Sequence, residues 1–366
     1  MIDETARVES LTLPAGRRIL VISDIHGNLP WFEALLAQVG FSDRDELILD
    51  GDLLEKGPQS LALLHRAMRL GAAGNCHAVC GNCDDWYNIF RAGCTPEDDA
   101  YFLRYIRWRR SGLLWDMCRE LGLDPMALTD FTAVKPLLLE AYPAEWAFLR
   151  TLPHALETER FVFAHAGVTR GKPLRAHTRQ ELNRVDAFLR HAERGERWVV
   201  VGHWPVVLYG EDRVCANPII DRERRVVSID GGCVLKDDGQ LNALLIPDKD
   251  SDDFTFSAYD AFPERTVLRD QAEGGRSYYI RWGDNRVQVL ERGAEFSRCR
   301  HIRTGYEMEV LTRYLESEET VTGVNDCSDY VLPLRAGDRV RVVEETGRGY
   351  YVKHRGVSGW YYGELA

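Results

Sequence analysis

Short apolar runs that give way to a polar residue beside a glycine recur through the first two thirds of the chain. The first, Ile19–Ile22, is followed by Ser-Asp-Ile-His-Gly, with Asp24 and His26 two positions apart and Gly27 directly after. Aliphatic and β-branched residues closed by a glycine turn predict a buried strand, and strand alternation would point Asp24 and His26 the same way. One carboxylate and one imidazole on one edge make half of a metal site. Residues 31–39, between Pro30 and Gly40, place Trp31, Leu35 and Val39 on one helical face. Residues 46–49 predict a second strand that ends in Asp50-Gly51-Asp52, and a helix carrying Leu61, Leu64 and Met68 follows. Residues 77–80 predict a third strand, ending in Gly81-Asn82-Cys83-Asp84. Strands that alternate with helices and release polar residues at their C-terminal ends describe a β-α-β-α-β unit with its site at the carboxyl edge of the sheet.

Residues 85–158 change character and read as a helical insertion, with helices over 101–110 and 144–152. Arg104, Arg107, Arg109 and Arg110 offer either a phosphate-binding cluster or a solvated helix face interleaved with core aromatics, and the pattern favours the second. Strand patterns return at 161–164, ending in His165-Ala166-Gly167, and at Trp198–Val201, ending in Gly202-His203-Trp204-Pro205. Residues 226–229 run into Asp230-Gly231-Gly232, and Leu241–Ile246 closes the unit. Residues 247–253, PDKDSDD, form a charged linker. Short strands then alternate with turns at 278–282, 287–290 and 308–311. From about Thr320 the sequence resembles an SH3-like barrel, with Ala336-Gly337-Asp338 as the diverging turn, Tyr350-Tyr351 on the next strand and Gly359-Trp360-Tyr361-Tyr362 near the end. Its aromatics either bind a peptide or Pro-rich partner or pack on the preceding β segment.

Composition narrows the class. A chain of 366 residues is long for one core, and 45% hydrophobic with 28% charged residues is an ordinary globular balance. No apolar run approaches the roughly 18 residues of a membrane span, and the polar, acidic N-terminus has no signal-peptide core, so the expectation is a cytoplasmic protein with no membrane role. Nine irregularly spaced cysteines fit reduced thiols, and Cys76, Cys80 and Cys83 lack a second group at zinc-finger spacing. A formal charge of -11 repels a polyanion, so no nucleic-acid partner is expected.

Asp24, His26, Asp52, Asn82, His165 and His203 each close a predicted strand with a glycine within three positions. The blocks SDIHGN, GDLLEKGP, GNCD, AHAG and GHWP together resemble the calcineurin-like metallophosphoesterase superfamily over residues 18 to about 246. SIDGGC with LNALLI is similar to its bacterial protein-phosphatase and diadenosine-tetraphosphatase branch. The resemblance implies an α/β fold, a two-sheet α/β/β/α sandwich. It also implies that Asp24 and His26 bind one metal, that Asn82, His165 and His203 bind another, and that Asp52 bridges them, the six forming the catalytic set. Two divalent ions follow, Mn, Fe or Zn, with Mg less suited to the histidine-rich position. Such a pair lowers the pKa of a shared water and holds the phosphate for in-line attack.

Lys56 stands where the branch has an arginine and either neutralises substrate phosphate or is a solvated loop lysine. Asp230 either holds a ligand histidine through its second ring nitrogen or forms an Asp-Gly turn. Trp204 would narrow the site or offer substrate a stacking surface. The branch carries a histidine in the third block that protonates the leaving oxygen, oriented by an aspartate in the second; here Cys83 and Glu55 occupy those positions. A missing general acid lowers rate by about 10² to 10⁴, so another donor substitutes or the leaving group is less basic. Cys83 reads as a thiol packed near the site rather than a nucleophile. GNCD also resembles the superfamily's small phosphodiesterases, whereas Pro205 departs from its nucleases.

The expected organisation is a metallophosphoesterase domain at 16–247 with the insertion at 85–158, a β-rich connecting segment at 254–318, and an SH3-like barrel at 319–366. The expected function is metal-dependent hydrolysis of a phosphorylated substrate as a protein-phosphatase-like phosphomonoesterase. The close alternative is a phosphodiesterase or dinucleotide pyrophosphatase acting on small molecules. A noncatalytic scaffold binding partners through the SH3-like end is the rival of another class, against which the intact ligand set argues.

Overall fold

Four fully buried residues, Ile19–Ile22, form the middle strand of a five-stranded sheet in the order Thr255–Tyr259, Leu241–Ile246, Ile19–Ile22, Glu46–Asp50, Cys76–Val79. The last three strands are parallel, with Ile22 opposite Leu49 and Asp50 opposite Val79, so their carboxyl ends finish side by side. A strand covered on both faces needs apolar residues at consecutive positions, and this one has them. The computed structural model describes residues 5–90, 92–169 and 171–366.

The two faces of the sheet feed different cores. Leu20, Ile22, Leu47 and Leu49 pack with the helices Leu29–Gln38 and Ser60–Ala72 and with the insertion. Ile19, Val21, Ile48 and Val79 pack against Phe161, Phe163, Trp198, Val200 and Val227 of a second sheet. That sheet has six strands in the order Val8–Ser10, Ala155–Glu157, Phe161–Phe163, Trp198–Val201, Val226–Ser228, Ile219–Asp221. Each such side chain removed from water stabilises the fold by roughly 1.5 to 3 kcal/mol. Asn28 caps the helix Leu29–Gln38 by accepting the Trp31 N–H, with proline in the first turn.

The insertion contains the helices Pro96–Arg109, Leu113–Glu120, Phe131–Ala141 and Pro143–Thr151, the first opened by a Thr95–Asp98 capping box. It stops short of the expected residue 158, because Ala155–Glu157 is a strand paired in parallel with Val8–Ser10. The fold likewise begins before the expected residue 16. Val8-Glu9-Ser10 and Ala155-Leu156-Glu157 carry only one and two apolar residues, too few for an apolar run, which is why both were missed.

All of these elements belong to one compact unit, residues up to Trp204, Pro218–Leu235 and Leu241–Tyr259; the second unit comprises Pro205–Asn217, Lys236–Gln240 and Asp260–Ala366. In the second unit a five-stranded antiparallel sheet runs Glu264–Thr266, Arg339–Thr346, Gly349–His354, Val357–Tyr361, Val214–Cys215. The turn before Arg339 is closed by the Arg335 N–H donating to Asp338, with Gly337 at φ 94°. A four-stranded sheet orders Glu307–Leu311, Phe296–His301, Arg286–Glu291 and Val321–Gly323. Its last pairing joins segments on either side of the expected boundary at 318/319. Trp360 and Tyr361 are buried, and the Trp360 ring lies 5.7 Å from Phe296, so these aromatics pack on the preceding β segment while Tyr362 stays exposed. Among the described residues no helix is long and apolar enough to cross a membrane.

Candidate metal centre

Beyond Ile22 the backbone leaves the sheet and turns left-handed. Asp24, His26, Asp52 and His203 have φ of 54°, 51°, 51° and 66°, in the region that residues with a Cβ enter at about 1–2 kcal/mol each. Their side chains therefore converge through turns, not through strand alternation as the sequence pattern suggested for Asp24 and His26. The loops after the first two strands run side by side: the Asp24 N–H donates to Gly51, His26 to Asp52 and Gly27 to Leu53. Two approaches leave no room for a Cβ, since one on Gly81 would overlap the Asp52 amide and one on Gly202 the Asp24 carboxylate.

All six residues singled out from the sequence meet here. Asp52 Oδ1 lies 3.2 Å from His165 Nε2, and Asp52 Oδ2 lies 3.8 Å from His26 Nε2. His26 Nε2 is 3.7 Å from Asp24 Oδ1. Asn82 Oδ1 is 3.3 Å from His165 Nε2, the His203 N–H donates to Asp24 Oδ2 at 2.9 Å, and the His165 and His203 rings are 5.2 Å apart. Within this set, the donor atoms of Asp24, Asp52 and His165 lie within 4.8 Å of one another, and so do those of His26, Asp52 and Cys83. The second ring nitrogens are fixed from behind: Nδ1 of His26 donates to the Leu54 carbonyl and Nδ1 of His165 to that of Asp50. That selects the tautomer with Nε2 facing the cluster.

The charges call for a cation. Burial and the nearby Asp230 carboxylate push Asp24 well above the carboxylate range, and its Oδ1 is buried without a hydrogen-bond partner. Burial would raise Asp52 too, but His165, then His26 and Lys56, hold it well below the usual value. His165, despite burial, is drawn up to about 10 by Asp52 and Asp24, whereas burial and the Lys56 ammonium push His26 down to about 3. Buried carboxylates and imidazoles with an orphaned oxygen fit a pair of divalent ions. Lys56 Nζ reaches 3.2 Å from His26 Nε2 and 3.9 Å from Asp52, so it faces the cluster and is not a solvated loop lysine.

Asp230 and Trp204 stand beside this set, Asp230 close enough to act on the Asp24 carboxyl. Asp230 accepts the Gly232 N–H at 2.8 Å, an Asp-Gly turn, while backbone carbonyls take the position foreseen for it behind His26 and His165. Trp204, directly after His203, is half-buried. Asp84 and Asp186 were not foreseen. Asp84 accepts the N–H groups of Leu53, Leu54 and Gly81 and ties the second block to the third; Asp186 lies 3.4 Å from His203 Nε2. The Asp of GNCD was visible as a motif letter, but its role needs three amides brought together by folding.

Glu55 is engaged by the insertion: it accepts the Tyr105 hydroxyl at 2.6 Å and the Leu113 N–H at 2.8 Å. Burial raises its carboxyl to about 7, against those two hydrogen bonds. The folded state therefore holds an extra proton between the ordinary glutamate value and about 7. The stability this lends is complete below that window and lost as pH rises through it. Chelator-treated Glu55→Gln should gain on the parent protein by up to about 3 kcal/mol between pH 5 and pH 8 in denaturant titrations. Parallel stability curves would refute the raised pKa.

A family model described as calcineurin-like phosphoesterase matches residues 17–231. Symmetrical bis(5'-nucleosyl)-tetraphosphatases of Hamiltonella defensa subsp. Acyrthosiphon pisum and Pectobacterium carotovorum subsp. carotovorum are 46% and 45% identical over 65 residues. Those residues are 18% of this chain and 23% and 22% of the relatives. The chain thus spans less than a quarter of the length of the curated relatives it matches. A metallophosphoesterase from Sphaerobacter thermophilus has a TM-score of 0.40 at 19% identity, covering 67% of this chain and 89% of that one. A protein serine/threonine phosphatase from Saccharomyces cerevisiae has a TM-score of 0.43 at 10% identity, covering 71% and 85%.

Proposed function

Because the chain belongs to the calcineurin-like phosphoesterase family, phosphoric ester hydrolases with a binuclear metal centre, we propose that it hydrolyses a phosphoanhydride or phosphodiester of a small nucleotide. Of the two readings the sequence left open, this is the dinucleotide pyrophosphatase rather than the protein phosphatase. One observation carries it. In the position of the leaving-group acid stands Cys83, whose thiol burial and the Asp52 carboxylate push well above its ordinary range, while Glu55 is committed to Tyr105 and Leu113. A group that holds its proton this tightly is a poor acid. A nucleotide or phosphate leaving group carries its own negative charge readily, whereas a seryl alkoxide needs the proton. The names of the curated relatives agree with this choice.

In this reading Asp24 and His26 would hold one ion, Asn82, His165 and His203 the other, and Asp52 would contribute to both. The ions would supply a water of lowered pKa and a grip on the phosphate oxygens. The chain's own residues do the rest. Asp50 and Leu54 carbonyls orient the two buried imidazoles, and the Lys56 ammonium, which the Asp52 carboxylate keeps charged against burial, neutralises phosphate charge. We also propose that the C-terminal sheet is an SH3-like module, with exposed Tyr362 as the contact for a peptide partner.

The test is dialysis against chelator, then reconstitution with Mn, Fe, Zn or Mg. Turnover should vanish and return with Mn, Fe or Zn. A bis(5'-nucleosyl)-tetraphosphate should be cleaved about 10² times more efficiently than a phosphoserine peptide. The reverse order would reinstate the protein-phosphatase reading, and no turnover with any metal would favour the scaffold.

A further inference from the structure

A cavity of about 630 Å³ lies directly beside the metal loop, between the insertion helix Pro96–Arg109 and the short helix Arg179–Asn183, with Asn82 and Cys83 in its wall. Its volume suits a nucleoside-sized ligand. One wall is aromatic: the rings of Tyr101 and Tyr105 stack with centroids 6.0 Å apart and planes 22° from parallel, and Tyr101 is 45% exposed.

Three guanidinium groups also line the cavity, and among the described residues two of them form no ion pair. Arg109 Nε is buried with no hydrogen-bond partner, and the group's near neighbours are the rings of Trp108 and Tyr105, at 4.1 and 5.9 Å. Arg184 makes a long 3.4 Å contact with the Asn82 carbonyl. Arg179, in the same wall, is by contrast paired with Asp85 and lies over Tyr87. Of the four arginines that the sequence placed together on the insertion helix, Arg107 bonds the Leu128 carbonyl, Arg110 bonds back to Arg107, and Arg104 lines a different cavity. Only Arg109 of these four faces the metal loop. A buried guanidinium nitrogen without a partner is costly, and an anion satisfies it.

We propose that this cavity is the subsite for the nucleoside half of a nucleotide substrate, the base stacking on Tyr101 and Tyr105 and the phosphates not being cleaved pairing with Arg109 and Arg184. The proposal rests on the nucleotide-hydrolase reading above and adds where the substrate is recognised. Base stacking contributes about 1–3 kcal/mol by alanine substitution and needs a flat π face, which a phosphoserine peptide lacks. A guanidinium fork matches phosphate oxygens two at a time.

With Mn-loaded full-length protein, kcat/KM is compared on a bis(5'-nucleosyl)-tetraphosphate and on bis(p-nitrophenyl) phosphate, which has no base or spare phosphates. Arg109→Ala and Tyr101→Ala should each lower the ratio of the two values by about 10-fold or more, chiefly through KM for the nucleotide. Arg109→Lys should recover part of the loss. Equal falls on both substrates, or an unmoved ratio, would overturn the subsite. Binding of adenosine diphosphate, measured by calorimetry, gives a readout without turnover. It should weaken about 10-fold or more in both alanine variants, and failure of the parent protein to bind it overturns the subsite whatever the turnover assays give. If adenosine diphosphate binds as expected and neither substrate is cleaved with any metal, the subsite stands and the hydrolase reading fails. A phosphoserine peptide that displaces the nucleotide and depends equally on Tyr101 would assign the cavity to peptides and overturn the proposal.

Discussion

Asp52→Asn should lower turnover of any phosphate ester by at least about 10³-fold, roughly 4 kcal/mol of transition-state stabilisation, and should strip the protein of metal. No other side chain is shared by both donor clusters. Its Oδ1 faces His165 and also accepts the Cys83 N–H at 2.8 Å, and its Oδ2 faces His26. An amide at this position keeps one oxygen to accept from Cys83, and asparagine tolerates the left-handed φ of 51°. The fold should therefore survive, as circular dichroism would verify. What is lost is the charge shared by the two donor clusters and one of its two carboxylate oxygens. Metal content after gel filtration, read beside kcat, makes the test independent of substrate choice. Parent-like metal stoichiometry or activity would sink the bridging role.

Cys83→His carries the opposite sign. A histidine in the third block places a base of ordinary pKa near neutrality where the thiol now stands, close to His26 and Asp52. Turnover of phosphomonoesters with basic leaving groups should rise about 10-fold, while cleavage of a bis(5'-nucleosyl)-tetraphosphate changes little. The full 10² to 10⁴ of a positioned acid is not expected, because the residue that would orient the new imidazole is Glu55, already engaged by Tyr105 and Leu113. A pH profile that acquires a second, basic limb would accompany the gain. If monoester turnover does not rise and anhydrides are not cleaved by the parent enzyme either, the account of the missing acid is wrong.

Much of the centre was legible before folding because strand ends, glycines and polar residues fall in a fixed order. Asp24, His26, Asp52, Asn82, His165 and His203 could each be located that way, and all six converge. What brings Asp24 and His26 together could not be read correctly, since periodicity reports where a strand runs and is silent once the chain turns left-handed after Ile22. Asp230 shows the same limit: an aspartate before glycine fits both a turn and a histidine partner, and the fold shows the turn at one oxygen while the other is buried without a partner. The arginines of the insertion could not be told apart, because positions 104, 107, 109 and 110 differ in direction, not in chemistry. Val8–Ser10 was invisible because only one of its three residues is apolar.

The left-handed backbone beneath Asp24, His26, Asp52 and His203 has an evolutionary corollary. At these four positions the side chains proposed to hold the ions sit on a backbone that glycine would accept more readily, by about 1 kcal/mol each. Selection for a sturdier fold and selection for hydrolysis thus push the same codons in opposite directions. The sheet behind them, with fully buried Ile19–Ile22 at its centre, is under no such conflict. Were the chemistry to lose its value to the host, decay would begin at the turns, and the architecture would outlast the activity.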